Sequence, residues 1–294
     1  MKAIESLLSG FIDYAGLYPP AALDMHTAVR NYLESSRGPY RRALGRFVID
    51  LERFPYLWDA AGEYVRGMRL TVVAQPDADW DEQCRELSRL LGKGYAVEAV
   101  EIKAGPSAER APAEIERIAG RIPAGVTAYF EVPVSPAPPA ALLDAVAAAG
   151  ARIKIRMGGM AVEAFPTPQA AAQLLAELAG RRMLFKATAG LHHPVRGRYA
   201  LSSAPQNSTA VMHGFMNLAC AAALLYFGGE AAEAQHMLEE EWPGAWQVRP
   251  DAILWGENGW NADELQEVRQ HFLIGVGSCS FAEPIEELEA LGWY

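Results

Sequence analysis

Two lysines stand inside sequences that otherwise resemble buried β-strands. Lys154 lies within "RIKIRMGG" (152–159) and Lys186 within "MLFKATAG" (183–190), and a glycine follows each lysine four residues later. A lysine is a nucleophile only when its amine is neutral, and burial and a second nearby ammonium both lower its pKa from about 10.4. A neutral lysine facing a carbonyl group forms an iminium, the electron sink of Schiff-base chemistry. The pair therefore predicts an enzyme of this type.

Carboxylates stand on the strands that precede the lysines. Because side chains alternate along a strand, Glu101 shares a face with Lys103 in "VEIK", and Glu131 shares one with Tyr129 in "AYFEVP". Buried charges are rare without partners, so these faces are predicted to meet inside the protein, where a carboxylate can shuttle protons. The alternative is a structural salt-bridge network. The predicted catalytic residues are Lys154, Lys186, Glu131, Lys103, Glu101 and His193.

Histidines and an arginine add candidate ligands around the lysines. Arg156 could hold a substrate carboxylate through two parallel hydrogen bonds, and Asp13 and Tyr14 end the first predicted strand. The predicted substrate-binding residues are Arg156, Asp13, Tyr14, Thr188, His192, His213 and Ser278. No cofactor is predicted. The alternative is a divalent metal, with the ligands Glu131, His192, His193 and His213.

A repeating pattern of strands and helices must position these residues. Helical segments, several with proline near the start and glycine after the end, separate eight strand-like runs, which favours a (β/α)8 TIM barrel with its chemistry at the C-terminal mouth. A doubly wound sheet is the alternative, but no GxGxxG follows the first strand. The predicted strands are 11–16, 45–50, 69–75, 96–103, 127–134, 152–159, 183–190 and 271–278.

Two segments depart from the regular repeat. Residues 1–10 predict a short helix at the bottom of the barrel, and a long helical insertion of about 191–270 separates strands seven and eight. The insertion contains an apolar helix near 211–228, an acidic helix near 230–241 and four tryptophans. It is interpreted either as a lid or partner surface or as extra packing. The whole chain, 1–294, is predicted to be one domain, and the apolar insertion makes a homo-oligomer plausible.

The two lysine motifs and the final strand carry a resemblance to a known family. The sequences Lys154-Ile-Arg-Met-Gly158 and Lys186-Ala-Thr-Ala-Gly190, together with the glycine-rich "IGVGS" of the last strand, resemble class I aldolases of the deoxyribose-phosphate aldolase type. The resemblance is confined to strands six to eight. It implies that Lys154 forms the Schiff base and that Lys186 lowers its pKa.

This chain departs from the family at two places. Arg156 and Met157 stand where the family has small hydroxylated residues. Leu191, His192 and His193 stand where the family continues into a phosphate-binding glycine and arginine. These differences favour a small carboxylated oxo compound over a sugar phosphate. The remaining alternatives are a metal-dependent barrel lyase, isomerase or hydrolase, in which the lysines bind an anionic substrate, and a non-catalytic barrel that binds a small molecule.

Composition limits the partners. The net charge of −10 over 294 residues argues against a nucleic-acid surface. The three cysteines are far apart in sequence, as in reducing compartments. The start does not resemble a signal peptide, and the most apolar window, 215–229, is short for a membrane span. The sequence therefore predicts a cytoplasmic protein that acts on a small molecule and has neither a membrane nor a nucleic acid as its partner.

Overall fold

The barrel predicted from the sequence is present. The computed structural model describes residues 2–75, 79–103, 112–201 and 208–294. Within them, eight parallel strands close into a barrel. These strands are β1 (Ile12–Tyr14), β2 (Leu44–Asp50), β3 (Arg69–Ala74), β4 (Ala96–Ile102), β5 (Thr127–Val132), β6 (Arg152–Arg156), β7 (Phe185–Thr188) and, after five strands of the insertion, β13 (Leu273–Ser278). Around the barrel they follow the order β1-β13-β7-β6-β5-β4-β3-β2.

Helices follow the barrel strands in turn and cover the outside. Capping side chains mark the starts of several helices. The Asp79 side chain accepts hydrogen bonds from backbone N–H groups in the first turn of the helix that begins at Trp80. Asn261 and Glu264 form a capping box at the helix that begins at Ala262. The helices are α1 (Ala3–Leu8), α2 (Met25–Ser35), α3 (Phe54–Ala61), α4 (Trp80–Gly92), α5 (Pro112–Ala119), α6 (Ala140–Ala148), α7 (Pro168–Gly180), α8 (Phe215–Tyr226), α9 (Ala231–Glu239), α10 (Ala262–His271) and α11 (Ala282–Ala290).

Strand register brings the predicted polar residues together inside the barrel. Glu131 on β5 is the Cα partner of Lys154 on β6, and Lys154 is the partner of Lys186 on β7. The alternate residues Ile153 and Ile155 are fully buried in the core. The inward orientation of the polar faces is therefore confirmed, because two-residue alternation fixes it once the barrel closes.

The N-terminal helix lies at the bottom of the barrel, as predicted. Helix α1 packs against α10, and the buried Arg269 on α10 donates to the carbonyl oxygens of Leu7 (2.8 Å), Ser9 (3.1 Å) and Leu273. The Arg269 guanidinium also lies 4.6 Å from the ring centre of Phe11. One arginine thus joins the end of α1 to the start of the last barrel strand.

The insertion contains strands that the sequence did not reveal. Two short strands form an antiparallel pair before α8, and three more form a small sheet after α9. Residues 202–207 of the predicted insertion lie outside the described residues. The additional strands are β8 (Gly197–Ala200), β9 (Thr209–Met212), β10 (Trp246–Val248), β11 (Ala252–Trp255) and β12 (Asn258–Asn261).

The apolar helix of the insertion is buried within this chain. Helix α8 packs against α7, α9 and α10, and buries eleven of its residues, from Phe215 to Leu225. Trp246 and Trp260 are also buried, whereas Trp242 is 69% exposed. The apolar surface of α8 is therefore covered by helices of the same chain. It no longer supports the predicted homo-oligomer, which stays a prediction. Within the described residues, no helix combines the length and hydropathy needed to cross a membrane.

Candidate functional site

Five charged side chains alternate in sign through the barrel interior. Asp13 contacts Lys186 at 2.7 Å, and Lys186 contacts Glu101. Glu101 in turn contacts Lys154 at 2.6 Å, and Lys154 contacts Glu131 at 2.9 Å. Each of these side chains is at most 8% exposed. We call these five residues the interior charge chain. It contains three carboxylates and two ammonium groups.

The electrostatics of the two lysines correct the prediction. Burial lowers the pKa of Lys154, and the Lys186 ammonium lowers it further, as expected. The carboxylates of Glu101 and Glu131 outweigh both effects, so the net pKa of Lys154 is raised. The pKa of Lys186 is also raised, because Asp13 and Glu101 outweigh its burial. The predicted lowering of the lysine pKa is therefore wrong for the resting protein, in which both groups are ammonium ions.

An arginine contacts each end of the interior charge chain. At the mouth, the Arg156 guanidinium lies 3.5 Å from Glu131, and its side chain is 49% exposed. At the other end, the Arg46 backbone N–H donates to Asp13 at 2.7 Å, and its guanidinium lies 3.9 Å from the same carboxylate. The ionic contacts thus extend from the lower part of the barrel to its mouth.

A cavity of about 300 Å³ opens onto the interior charge chain at the mouth. Its walls include apolar surface from Met160, Phe165 and Leu201. Its volume suits a small molecule. The predicted residues that line it are Glu101, Lys103, Glu131, Lys154, Arg156, Lys186, Thr188, His192 and His193.

The sequence did not reveal Tyr18, which lines the cavity, or its buried neighbour Asp50. The Lys103 ammonium lies 3.7 Å from Asp50. Burial, followed by the carboxylates of Asp50 and Glu101, raises the pKa of the Tyr18 phenol, which lines the cavity. Tyr18 is therefore a neutral hydroxyl that holds its proton and can donate a hydrogen bond. The only sequence signal was its place in the turn "GLYPP" after the first strand.

His192 stands at the rim as a neutral imidazole. Its Nδ1 lies 3.1 Å from Ser278 Oγ and 3.8 Å from Cys279 Sγ. Burial, with a smaller effect from His193, lowers the pKa of His192 to about 4. Gly277 and Cys279 line the cavity, whereas Ser278 between them does not. The predicted role of Ser278 in binding substrate is therefore corrected to the positioning of His192.

His193 joins two glutamates in a cluster beside the cavity. Its Nδ1 lies 2.6 Å from Glu287, and its ring stacks on Tyr199 at 3.4 Å between centroids. One ligand atom from each of His193, Glu283 and Glu287 lies within 4.8 Å of the other two. Burial and the carboxylates of Glu287 and Glu286 raise the pKa of Glu283. Among the described residues, this is the one group of three or more histidine, cysteine or acidic side chains with metal-binding geometry.

Two predicted site residues point away from the cavity. Tyr14 packs between Tyr32 and Phe47, with ring centres 6.3 and 6.0 Å away. Alternation along β1 requires this, because Asp13 points inward. His213 is fully buried, and its Nε2 donates to the Pro166 carbonyl at 2.7 Å.

The predicted metal set therefore does not assemble around one point. Glu131 forms ion pairs with Lys154 and Arg156. His213 forms a hydrogen bond to the Pro166 carbonyl oxygen. In the described part of the chain, the metal-type cluster instead combines His193 with Glu283 and Glu287. Helix α11 supplies these two glutamates four residues apart, so they share one face.

The two glycines of the lysine motifs pack against each other. A Cβ on Gly190, which has a φ of +69°, would lie 2.6 Å from Phe165 and 3.1 Å from the Cα of Gly158. A Cβ on Gly158 would lie 2.5 Å from the same ring. The glycines thus allow the loops after β6 and β7 to meet beneath Phe165, and this contact explains their positions without a ligand.

Comparison with known proteins identifies no family. No family model matches the sequence, and no curated protein matches it. Among solved structures, an adenine deaminase from Arthrobacter aurescens aligns with a TM-score of 0.35 and 13% identity, over 56% of this chain and 52% of that chain. This chain thus spans about half the length of the deaminase chain, and a similarity of this size does not indicate an activity.

Proposed function

We propose that this protein is a lyase of the aldolase type, in which Lys154 forms a Schiff base with a small carboxylated oxo compound. One observation carries the proposal: the buried Lys154 amine lies between two carboxylates, at 2.6 and 2.9 Å, in the wall of the cavity at the mouth. A nucleophilic amine needs a base that can accept its proton. Both carboxylates are within hydrogen-bond distance.

We assign the role of proton acceptor to Glu131. Glu101 contacts both lysines, which outweigh its burial and lower its pKa. Glu131 instead divides its contacts between Lys154 and the half-exposed Arg156. A substrate carboxylate that binds Arg156 would draw its guanidinium away from Glu131 and leave Lys154 as the ion-pair partner of Glu131. Substrate binding thus prepares Lys154 for attack.

The chemistry then follows the usual course of an amine-catalysed cleavage. After its proton moves to Glu131, the Lys154 amine adds to the substrate carbonyl carbon, and loss of water gives the iminium. The electron pair of the cleaved carbon–carbon bond moves to the iminium, which becomes an enamine. A base takes the β-hydroxyl proton as the second carbonyl product forms. The same base returns this proton to the enamine carbon, and hydrolysis of the resulting iminium gives the second product and the free lysine.

Borohydride trapping tests this function. The protein is incubated with pyruvate and with a panel of other small 2-oxo acids, reduced with borohydride, digested and analysed by mass spectrometry. We expect one reduced adduct on the peptide that contains Lys154, dependent on both the oxo acid and the borohydride. The exposed Lys93 serves as an internal control for non-specific labelling. Labelling of Lys93 alone, or no adduct across the panel, would contradict the proposal.

A second candidate function is favoured by the cluster of His193, Glu283 and Glu287 beside the cavity. Imidazole and carboxylate ligands suit divalent ions of the zinc, iron and manganese group. A metal at this cluster could polarise a substrate carbonyl or activate water. In that case Lys154 and Lys186 would neutralise an anionic substrate instead of forming a covalent bond.

Elemental analysis separates the two functions. If the metal site is real, the purified protein binds a stoichiometric divalent ion, and His193→Ala loses it because one of three ligands is gone. Lys154→Met and the control His236→Ala, which changes an exposed histidine, keep the ion. Equal metal content in His193→Ala and in the unmodified protein would exclude this cluster as the site.

A further inference from the structure

A second cavity, of about 600 Å³, lies at the opposite end of the barrel from the proposed site. Its walls come from the residues just before β1 and β2, the N-terminal parts of β2, β3 and β13, and the last turn of α10. Five arginines line it, and we call it the arginine cavity. They are Arg41, Arg42, Arg46, Arg69 and Arg269.

Two of these arginines share a single carboxylate. Arg69 donates to both oxygens of Glu98, at 2.8 and 3.0 Å, and Arg46 donates to the same carboxylate at 2.8 Å. Arg46 also approaches Asp13, which already balances the buried Lys186. This side of the cavity therefore keeps a positive excess.

The other three arginines form no close ion pair with the acids of the described residues. In the parts of the chain that the structure describes, no carboxylate lies within 4.0 Å of Arg41, Arg42 or Arg269. Arg269 directs its donors at backbone carbonyl oxygens. Burial lowers the pKa of Arg269, and the Asp13 carboxylate offsets only part of this effect. These positive charges without close ion pairs lie on a protein whose net charge is −10.

We propose that the arginine cavity binds an oxyanion of the phosphate class, either inorganic phosphate or pyrophosphate, or the phosphate group of a small monoester. Planar guanidinium groups match the oxygens of such anions and bind them through pairs of hydrogen bonds. The exposed Arg41 and Arg42 lie at the opening, and the buried Arg269 contributes charge from within. A concave site of this kind, on a protein of negative net charge, fits a small anion better than a nucleic acid.

Calorimetric titration tests the site. Inorganic phosphate, pyrophosphate and glucose 6-phosphate are titrated separately into the full-length protein, with sodium chloride keeping the ionic strength constant so that general screening is excluded. We expect saturable binding of at least one of them. Tightest binding of phosphate or pyrophosphate would indicate that the natural ligand is a free anion. Tightest binding of glucose 6-phosphate would indicate a phosphate monoester.

Two exposed arginines provide the variants. Arg41→Gln/Arg42→Gln removes two guanidiniums, and we expect the affinity to fall about tenfold for each. Arg42→Lys keeps the charge but loses the paired geometry, so its loss should be smaller. Arg85→Gln on α4, another exposed arginine, is the matched control and should bind like the unmodified protein.

Several results would overturn the proposal. These are the absence of saturable binding for all three anions, or equal affinity in Arg41→Gln/Arg42→Gln and Arg85→Gln. Circular dichroism of each variant confirms that it is folded. Adduct formation at Lys154 is measured in the same variants. It should be unchanged, so the anion site and the proposed lyase activity succeed or fail separately.

Discussion

Replacing Lys154 with methionine is expected to abolish the borohydride-trapped adduct and to lower turnover of any responsive oxo acid by about four orders of magnitude or more. Methionine has a similar length and fills the same buried space but has no amine, so neither the iminium nor its electron sink can form. Mass spectrometry and steady-state kinetics measure the two effects. A thermal unfolding curve shows whether the variant is folded.

Lys186→Met is the matched control, because it removes a second buried ammonium from the same interior charge chain. This variant keeps the Lys154 amine and its two carboxylates. We therefore expect the adduct to form on Lys154, although with a lower yield. An unchanged adduct in Lys154→Met, or an adduct found on Lys186 in the unmodified protein, would assign the nucleophile differently.

Glu101→Gln is expected to lower the free energy of unfolding by about 3–5 kcal/mol at neutral pH, the usual cost of breaking a buried ion pair. Glu101 contacts both Lys154 and Lys186, so the amide leaves two buried ammonium groups short of negative charge. Chemical denaturation measures the difference. Glu86→Gln is the control, because its partner Arg89 is half exposed and the loss should stay within about 1 kcal/mol.

The stability difference should also depend on pH. Burial alone raises the pKa of Glu101, but Lys154 and Lys186 more than offset it and lower the pKa from 4.5 to about 2. A carboxylate whose pKa is lower in the folded state than in the unfolded state stabilises the fold fully at pH values above its unfolded-state pKa. This stabilisation is lost as the pH falls through its folded-state pKa. The gap between Glu101→Gln and the unmodified protein should therefore be constant above pH 4.5 and shrink towards pH 2. A gap that is constant across this range would contradict the assignment.

The fold and much of the cavity could be predicted from local patterns. The order of strands and helices indicates a parallel barrel, because a crossover helix between strands imposes parallel pairing. Alternation along each strand then places Glu101, Glu131, Lys154 and Lys186 on inward faces. The same rule could have removed Tyr14 from the predicted site, since adjacent residues of a strand cannot both face inward.

The chemical state of these residues depended on contacts between distant parts of the chain. Asp13 on the first strand reaches Lys186 on the seventh, and this pairing helps to reverse the expected direction of the lysine pKa shift. In the same way, His213 in the insertion forms a hydrogen bond to a backbone carbonyl oxygen of the loop before α7 and does not line the cavity.

The sequence by itself determined the barrel, its inward-facing charges and the neighbouring lysines, because secondary-structure periodicity and strand order are properties of short segments. Only the tertiary structure decided which charges pair, that His193 meets Glu283 and Glu287, and that five arginines surround one cavity. Ion pairs form only between side chains whose charged atoms come within about 4 Å of each other. Separation along the sequence therefore does not predict them until the barrel closes.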